Sequence, residues 1–314
     1  MHKKSFYAGA VTITCIICAC IFIFSKKIPQ ALGLDQGQED GVSAGDALSA
    51  GSASYGAGSV QSDYTGKTFT FTGSGEEYKA ALNSDVDPSP YDNDKFVRDG
   101  NKVSYSDGTY TSRLGVDVSY YQGDINWKKV KAAGYEFAFI RVGYRGYGSS
   151  GTLNLDKNFV KNAQEAQAAG IDVGVYFFSQ ATSTKEARKE AAFVIKALED
   201  NDITPDLPIV FDPEKVLTSG SRTLNLDDEQ FTKNSVAFCR EIKKSGYEAA
   251  VYTSMLWEAF TIDLSQLSGT PIWYADYVDK PQTPYNFRWW QYSDGTKVDG
   301  IPIQCDLDVE VYRK

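Results

Sequence analysis

The chain of 314 residues contains a single histidine, His2, beside the amino terminus. That absence removes whole classes of chemistry from the rest of the chain. Ser-His-Asp triads, Cys-His pairs and histidine-ligated zinc sites all need an imidazole. Acid–base work must then fall to carboxylates, tyrosines or lysines. Cysteine is scarce too, and three of the five residues (Cys15, Cys18 and Cys20) fall within one apolar run. Cys239 and Cys305 lie far apart without metal-ligand spacing, so neither a metal nor another cofactor is expected. They read as buried free thiols, or as a disulfide if the domain folds in an oxidising compartment. Positive charge is in deficit. The formal net charge is −9, and Lys3, Lys4, Lys26 and Lys27 all precede residue 28, so the remainder carries −13. Phosphate backbones are bound by clustered cations, so a nucleic-acid partner is not expected. The sequence also lacks a Gly-rich phosphate loop of the Walker type.

What is present begins with residues 5–24, an uncharged apolar run bracketed by Lys3-Lys4 and Lys26-Lys27. About 20 apolar residues in a helix span a bilayer's hydrocarbon core. A cleaved signal peptide has a shorter apolar region, ~7–15 residues, ending in a small-residue site. Such a site is missing after Phe24. Ile17-Cys18-Ala19-Cys20 loosely resembles a lipobox, but the apolar run continues past it. Residues 1–27 therefore read as an uncleaved membrane anchor with basic flanks, and the membrane as a partner through residues 5–24. Lysines at both ends leave its orientation open. Residues 28–66 have no Lys or Arg and are rich in Gly, Ser, Ala and Asp. They cannot bury enough apolar surface to offset ordering entropy, and read as a flexible acidic stalk. Residues 67–111 read as a spacer or a small appended element. Thr68 to Thr72 alternates like a strand, and Asp85 to Pro90 carries turn chemistry.

From residue 112 to 314 apolar runs alternate with helical patterns. Strands are expected at Leu114–Ser119, Phe137–Gly143, Asp172–Phe178, Leu207–Glu214 and Ala249–Thr253. Helices are expected at Trp127–Ala133, Asn158–Ala169, Thr184–Leu198 (with Thr184 as N-cap) and Asp227–Ser245. Three more strands follow, at Pro271–Tyr277, Phe287–Tyr292 and Leu307–Tyr312, with links too short for full helices. Alternating βα units imply a parallel sheet. The fold class is thus α/β: an irregular β/α barrel of about five β/α units and three further strands. A doubly wound open sheet is the alternative.

The stretch Leu207-Pro208-Ile209-Val210-Phe211-Asp212-Pro213-Glu214 carries the chemistry. Side chains two apart on a strand share a face, so Asp212 and Glu214 should project together from its C-terminal end. Paired carboxylates around one point are the equipment for glycosidic bond cleavage. A solvated acidic turn would look the same in isolation. In a β/α barrel, however, catalytic groups gather at the C-terminal ends of several strands. Asp117 and Asp276 lie near two other such ends. Asp306 opens the last strand, where its placement is less clear.

The chain also resembles glycoside hydrolase family 25, the Chalaropsis-type muramidases, from about Leu114 to Tyr312. The resemblance rests on Asp117-Val118-Ser119, Gln122-Gly123, Ile125-Asn126-Trp127 and Phe137-Ala138-Phe139-Ile140-Arg141. It continues through Gly174-Val175-Tyr176-Phe177-Phe178, Asp212-Pro213-Glu214, Trp273-Tyr274-Ala275-Asp276-Tyr277 and Trp290-Gln291-Tyr292. It implies an irregular β/α barrel with an acidic groove, and cleavage of the β-1,4 bond between N-acetylmuramic acid and N-acetylglucosamine in peptidoglycan. Glu214 matches the general acid and Asp212 its neighbouring carboxylate. Asp117, Asp306 and, less closely, Asp276 match further acidic groove residues. Pro213 departs from the larger apolar residue expected between the two acids. Tyr176, Phe178, Tyr252, Trp273 and Trp290 are candidates for stacking on sugars, with core filling the alternative for each. Peptidoglycan strands would be the partner, and the catalytic domain would face the cell wall from a single-pass membrane anchor. The rival reading is a catalytically silent glycan-binding module.

Overall fold

The computed structural model describes residues 66–73 and 75–314. The expected anchor, and the stalk apart from Gly66, lie outside the described residues. Among those described, no helix is long and apolar enough to cross a membrane.

Two small antiparallel hairpins come first: β1 (Thr68–Gly73) with β2 (Glu76–Ala81), and β3 (Phe96–Asp99) with β4 (Lys102–Tyr105). Then follow β5 (Tyr110–Val118), α1 (Trp127–Ala132), β6 (Tyr135–Arg145), β7 (Leu153–Leu155), α2 (Phe159–Ala168), β8 (Asp172–Ser179) and α3 (Thr184–Glu199). The remainder is β9 (Ile209–Pro213), α4 (Asp228–Lys244), β10 (Ala249–Ser254), α5 (Met255–Phe260), β11 (Ile272–Ala275), β12 (Trp289–Lys297) and β13 (Gln304–Arg313). Strands β5, β6, β8, β9, β10, β11 and β12 pair in parallel in that order. Strand β13 then pairs antiparallel with both β12 and β5. The β5–β6 pairing closes the ring, so the sheet is an eight-stranded barrel and not an open sheet.

Local chemistry explains the boundaries. Ser183, not Thr184, caps α3, since its hydroxyl accepts from the Glu186 amide. Asp227 and Asn126 cap α4 and α1 in the same way. Such caps satisfy amides that have no partner within the helix. Gly170 and Gly246 follow α2 and α4 at φ of 76° and 88°, a conformation that side chains with a Cβ resist.

Outward-facing strand residues such as Val116, Val175 and Phe211 pack under the helices, where Ala163, Val194 and Phe238 are buried against them. Inward-facing residues form a separate cluster that fills the barrel: Phe137, Phe139, Val210, Trp273 and Trp289 among them. The Phe139 and Trp273 rings stack with centroids 4.5 Å apart. Glycines make room for them. A Cβ on Gly115 would fall 2.3 Å from the Phe137 ring, and one on Gly174 would fall 2.4 Å from the Phe139 ring.

The stretch 67–111 is packed on the barrel. Phe71, Ala80, Phe96, Val103 and Tyr105 are buried in the same core as the outer strand faces. Phe71 meets Phe260 of α5, and Phe96 meets the Trp290 ring edge-on at 5.5 Å. The Asn83 amide donates to the Tyr285 hydroxyl at 2.9 Å. Trp290, which sequence alone offered as a sugar platform, thus faces outward, because alternation along β12 turns Trp289 and Gln291 inward instead. Cys239 and Cys305 are both buried and free.

Filling the floor of the barrel has a measurable consequence. Gly174→Ala forces the added methyl against Phe139 on one side and Leu207 on the other. The expected loss is ~1–3 kcal/mol of stability from overpacking, read as a lower denaturation midpoint with an unchanged m-value.

Candidate active site

Strand β9 delivers its two acids at the C-terminal mouth of the barrel. Val210 faces inward and Phe211 outward, where it lies 4.6 Å from Phe238. The alternation turns Asp212 in again, and it is 1% exposed; Glu214 just beyond the strand is 5% exposed. The Glu214 backbone is fixed from β8: its amide donates to Ser179 O at 3.3 Å, and Gln180 Nε2 donates to its carbonyl at 2.7 Å. Pro213 ends the strand opposite Ser179, a position where a missing N–H is tolerated.

Asp117 of β5 stands opposite Asp306 of β13 in register. The antiparallel run of β13 resolves the placement of Asp306: the beginning of this strand lies at the same mouth as the ends of the others. Gln291 ties the acids together. Its Nε2 donates to Asp117 Oδ2 at 2.7 Å and reaches Asp306 Oδ2 at 3.5 Å. Its Oε1 accepts from the Tyr252 and Tyr277 hydroxyls at 2.9 and 2.8 Å.

Asp308, which sequence reasoning passed over, lies below Asp306 on the same face of β13. It is fully buried, and the Trp273 indole N–H donates to its Oδ1 at 2.7 Å. The charge of Asp117 acts on it as well, and its Oδ2 has no hydrogen-bond partner among the described residues. The signal was present in the spacing, since 306 and 308 share a strand face. Gln291 was passed over too, because Trp290 beside it was read as the inward residue.

The electrostatics follow from burial. Desolvation pushes the Asp117, Asp212 and Asp308 carboxyls well above the ordinary aspartate value. The charge of Asp117 pushes Asp212 up further, while the Arg141 guanidinium opposes it. Neither Asp212 oxygen has a hydrogen-bond partner among the described residues. Arg141 is itself buried and paired with Asp156 at 3.0 Å. Burial likewise raises the Tyr176 and Tyr252 hydroxyls; Tyr252 also feels the charges of Glu214, Asp212 and Asp117. The opposite end of the barrel is different in kind: Glu310 is flanked there by Arg113 and Arg288 at 2.5 and 2.8 Å. The buried acids of the mouth are raised and clustered, and a perturbed cluster points to function.

The remaining candidates divide. Tyr176, Phe178 and Tyr252 lie at the level of the acids or beside them, each nearly buried. Trp273 forms the floor beneath and Trp290 lies outside the barrel, so neither offers a ring face to a ligand. Asp276 follows β11 on its outward face, accepting from the Tyr274 hydroxyl at 2.5 Å and from Gln282 Nε2 at 3.0 Å. It is not brought against Asp117 or Asp212. Among the described residues, no group of three or more metal-ligating side chains is found.

The barrel has counterparts among known proteins. The model for glycosyl hydrolases family 25 matches residues 116–301. Lysozyme M1 of Streptomyces globisporus is 29% identical over 199 residues, covering 61% of this chain and 65% of that protein. This chain therefore spans less than two thirds of that relative's length. The crystal structure of a bacterial lysozyme from Streptomyces coelicolor superposes with a TM-score of 0.52 at 27% identity, over 62% of this chain and 90% of that one. The modular autolysin LytC of Streptococcus pneumoniae, solved with a synthetic peptidoglycan ligand, shares the fold with a TM-score of 0.58 at 21% identity. That superposition covers 77% of this chain and 56% of LytC.

The shared burial of Asp117 and Asp212 sets a titration test. Asp117→Asn removes the charge that raises Asp212, so the Asp212 carboxyl should ionise at lower pH, read in its ¹³C titration curve. The sign carries to stability. A carboxyl raised in the fold stabilises fully below its unfolded value of ~3.9, and that contribution is lost as pH rises through the folded value. The wild-type protein should weaken over that window, and Asp117→Asn should weaken less.

Proposed function

The chain belongs to glycosyl hydrolases family 25, and on that footing we propose that it is a peptidoglycan-cleaving muramidase. The bond is the β-1,4 link between N-acetylmuramic acid and N-acetylglucosamine, with Glu214 as general acid and Asp212 as the stabilising carboxylate. The observation that carries this reading is the approach of Asp212 on β9, and Glu214 just after it, to Asp117 and Asp306 of two other strands at one barrel mouth.

Glu214 protonates the glycosidic oxygen as the bond breaks. Positive charge then develops on the sugar above the mouth. Asp212 answers it from a dry site where a carboxylate acts more strongly than in water. Arg141 favours the ionised form of Asp212 that this role needs. The charge of Asp117 raises Asp308, and a proton held on Asp308 limits the negative charge crowding Asp212. Gln291, gripped by Tyr252 and Tyr277, fixes the Asp117 carboxylate. Asp306 adds a further acidic contact at the rim. Water, a direct carboxylate attack or the substrate's own acetamido group can complete the reaction, and product anomer analysis separates inversion from retention.

Residues 1–27 are proposed as a single-pass membrane anchor that holds the enzyme outside the cell, facing the wall. A tether of that kind raises the effective concentration of enzyme at its substrate. Its test is retention of the full chain in the membrane fraction after high-salt washing, lost when residues 1–27 are removed.

Incubation with purified cell walls, followed by reduction of the released fragments, should yield reduced muramic acid. Reduced glucosamine at the new ends would sink the bond assignment. Glu214→Gln should lower kcat by ~10²–10⁴-fold with an unchanged melting temperature. An unaltered kcat removes Glu214 from the acid role.

A further inference from the structure

The β1–β2 hairpin lies outside the stretch matched by the family model, yet it reaches the catalytic end of the barrel. Gln282 clamps it there. The Thr72 amide donates to Gln282 Oε1 at 2.8 Å, and Gln282 Nε2 donates to Thr72 O at 2.9 Å. The same Nε2 reaches Asp276 Oδ2 at 3.0 Å. Behind the hairpin, Phe71 stacks on Tyr78 at 5.3 Å and packs on Phe260 of α5. The hairpin is therefore seated by an apolar base and a two-way amide bond.

Between its tip and the barrel lies an open cavity of about 290 Å³, walled by Thr72 and Gly73 on one side and by Ser254, Asp276, Tyr277 and Asp294 on the other. Tyr277 is the wall it shares with the acid cluster: the residue lines the cavity, while its hydroxyl donates to Gln291, which holds Asp117. The cavity thus adjoins the proposed cleavage site across one side chain. Its size suits one sugar ring, near the lower end of small-ligand pockets. Among the described residues its lining has two carboxylates and no Lys or Arg. Carboxylates accept from sugar hydroxyl and amide donors and repel other carboxylates.

We propose that the β1–β2 hairpin adds a sugar subsite to the barrel mouth, and that this subsite takes an uncharged N-acetylglucosamine unit of the glycan and rejects a carboxylate-bearing muramyl unit. The inference rests on the glycan-cleaving reading and extends it to a segment outside the family-matched stretch. Asp294 and Thr72 supply the discriminating contacts, and Gln282 positions the hairpin that carries Thr72.

The test uses the full chain and tri-N-acetylchitotriose as probe, with affinity read by calorimetry. Thr72 and Asp294 are exposed, so both can be changed without touching the core. Thr72→Trp fills the cavity and Asp294→Lys reverses its charge. Each should weaken chitotriose binding by about tenfold, and Asp294→Lys should also improve binding of a muramyl peptide. Wall cleavage by the wild type is assayed in parallel. Chitotriose affinity unmoved in both variants, with cleavage intact, overturns the subsite alone. Affinity lost in both variants, with no cleavage of any wall by the wild type, supports the subsite and overturns the hydrolase reading.

Discussion

Carboxylates buried within reach of one another cannot all be ionised, and the mouth of this barrel is organised around that restriction. Asp117, Asp212 and Asp308 lack the water that would solvate their charges, and each proton lost makes the next harder to remove. The surroundings manage the strain in different ways. Asp308 is held by the Trp273 indole, and Asp117 is held by Gln291. Asp212 alone has no hydrogen bond among the described residues and leans on the field of Arg141. An acid left this way is costly to the fold, and such sites persist where they serve chemistry.

The barrel meets the restriction by geometry. Parallel strands bring their C-terminal ends to one rim, and the aromatic floor of Phe139, Trp273 and Trp289 stops water from entering below. Gly115 and Gly174 are part of the same device, since the rings occupy the space their side chains would fill. At the other rim Arg113 and Arg288 both pair with Glu310, and Arg113 pairs also with Asp172. The two ends of the same ring of strands therefore differ in what they can do. One is a satisfied structural network and the other is a store of unspent electrostatic potential.

Much of this was legible in the residues. The apolar runs of the barrel strands are long enough, and bounded clearly enough by Gly, Asp and Pro, to be placed within a few positions. The pair Asp212 and Glu214 could be read because a period of two needs only one strand. Features that depend on which face or which direction a strand takes were harder. Trp290 and Gln291 are adjacent, and only the barrel's closure decides that the glutamine points in. Asp306 and Asp308 read as the start of a strand, and only its antiparallel pairing puts that start at the catalytic rim. Asp276 follows a strand end like the other acids but leaves on the outer face, toward Tyr274 and Gln282. The alternation of Thr68 to Thr72 announced one strand of the first hairpin, but the pairing of both hairpins did not show in the sequence, because they draw their burial from distant partners such as Phe260, Tyr285 and Trp290.

The antiparallel strand β13 has a consequence for the order in which the molecule comes into being. It is the piece that closes the ring between β12 and β5, and it carries Asp306 and Asp308. A chain made or translocated from its amino terminus presents β5 early and must hold it without its neighbour until residues 304–313 arrive. Pairing over so long a separation is slow to form. Until it forms, Asp117 lacks both the acid whose ionisation it opposes and the strand opposite it. The acid cluster is thus completed last, when the final strand closes the ring.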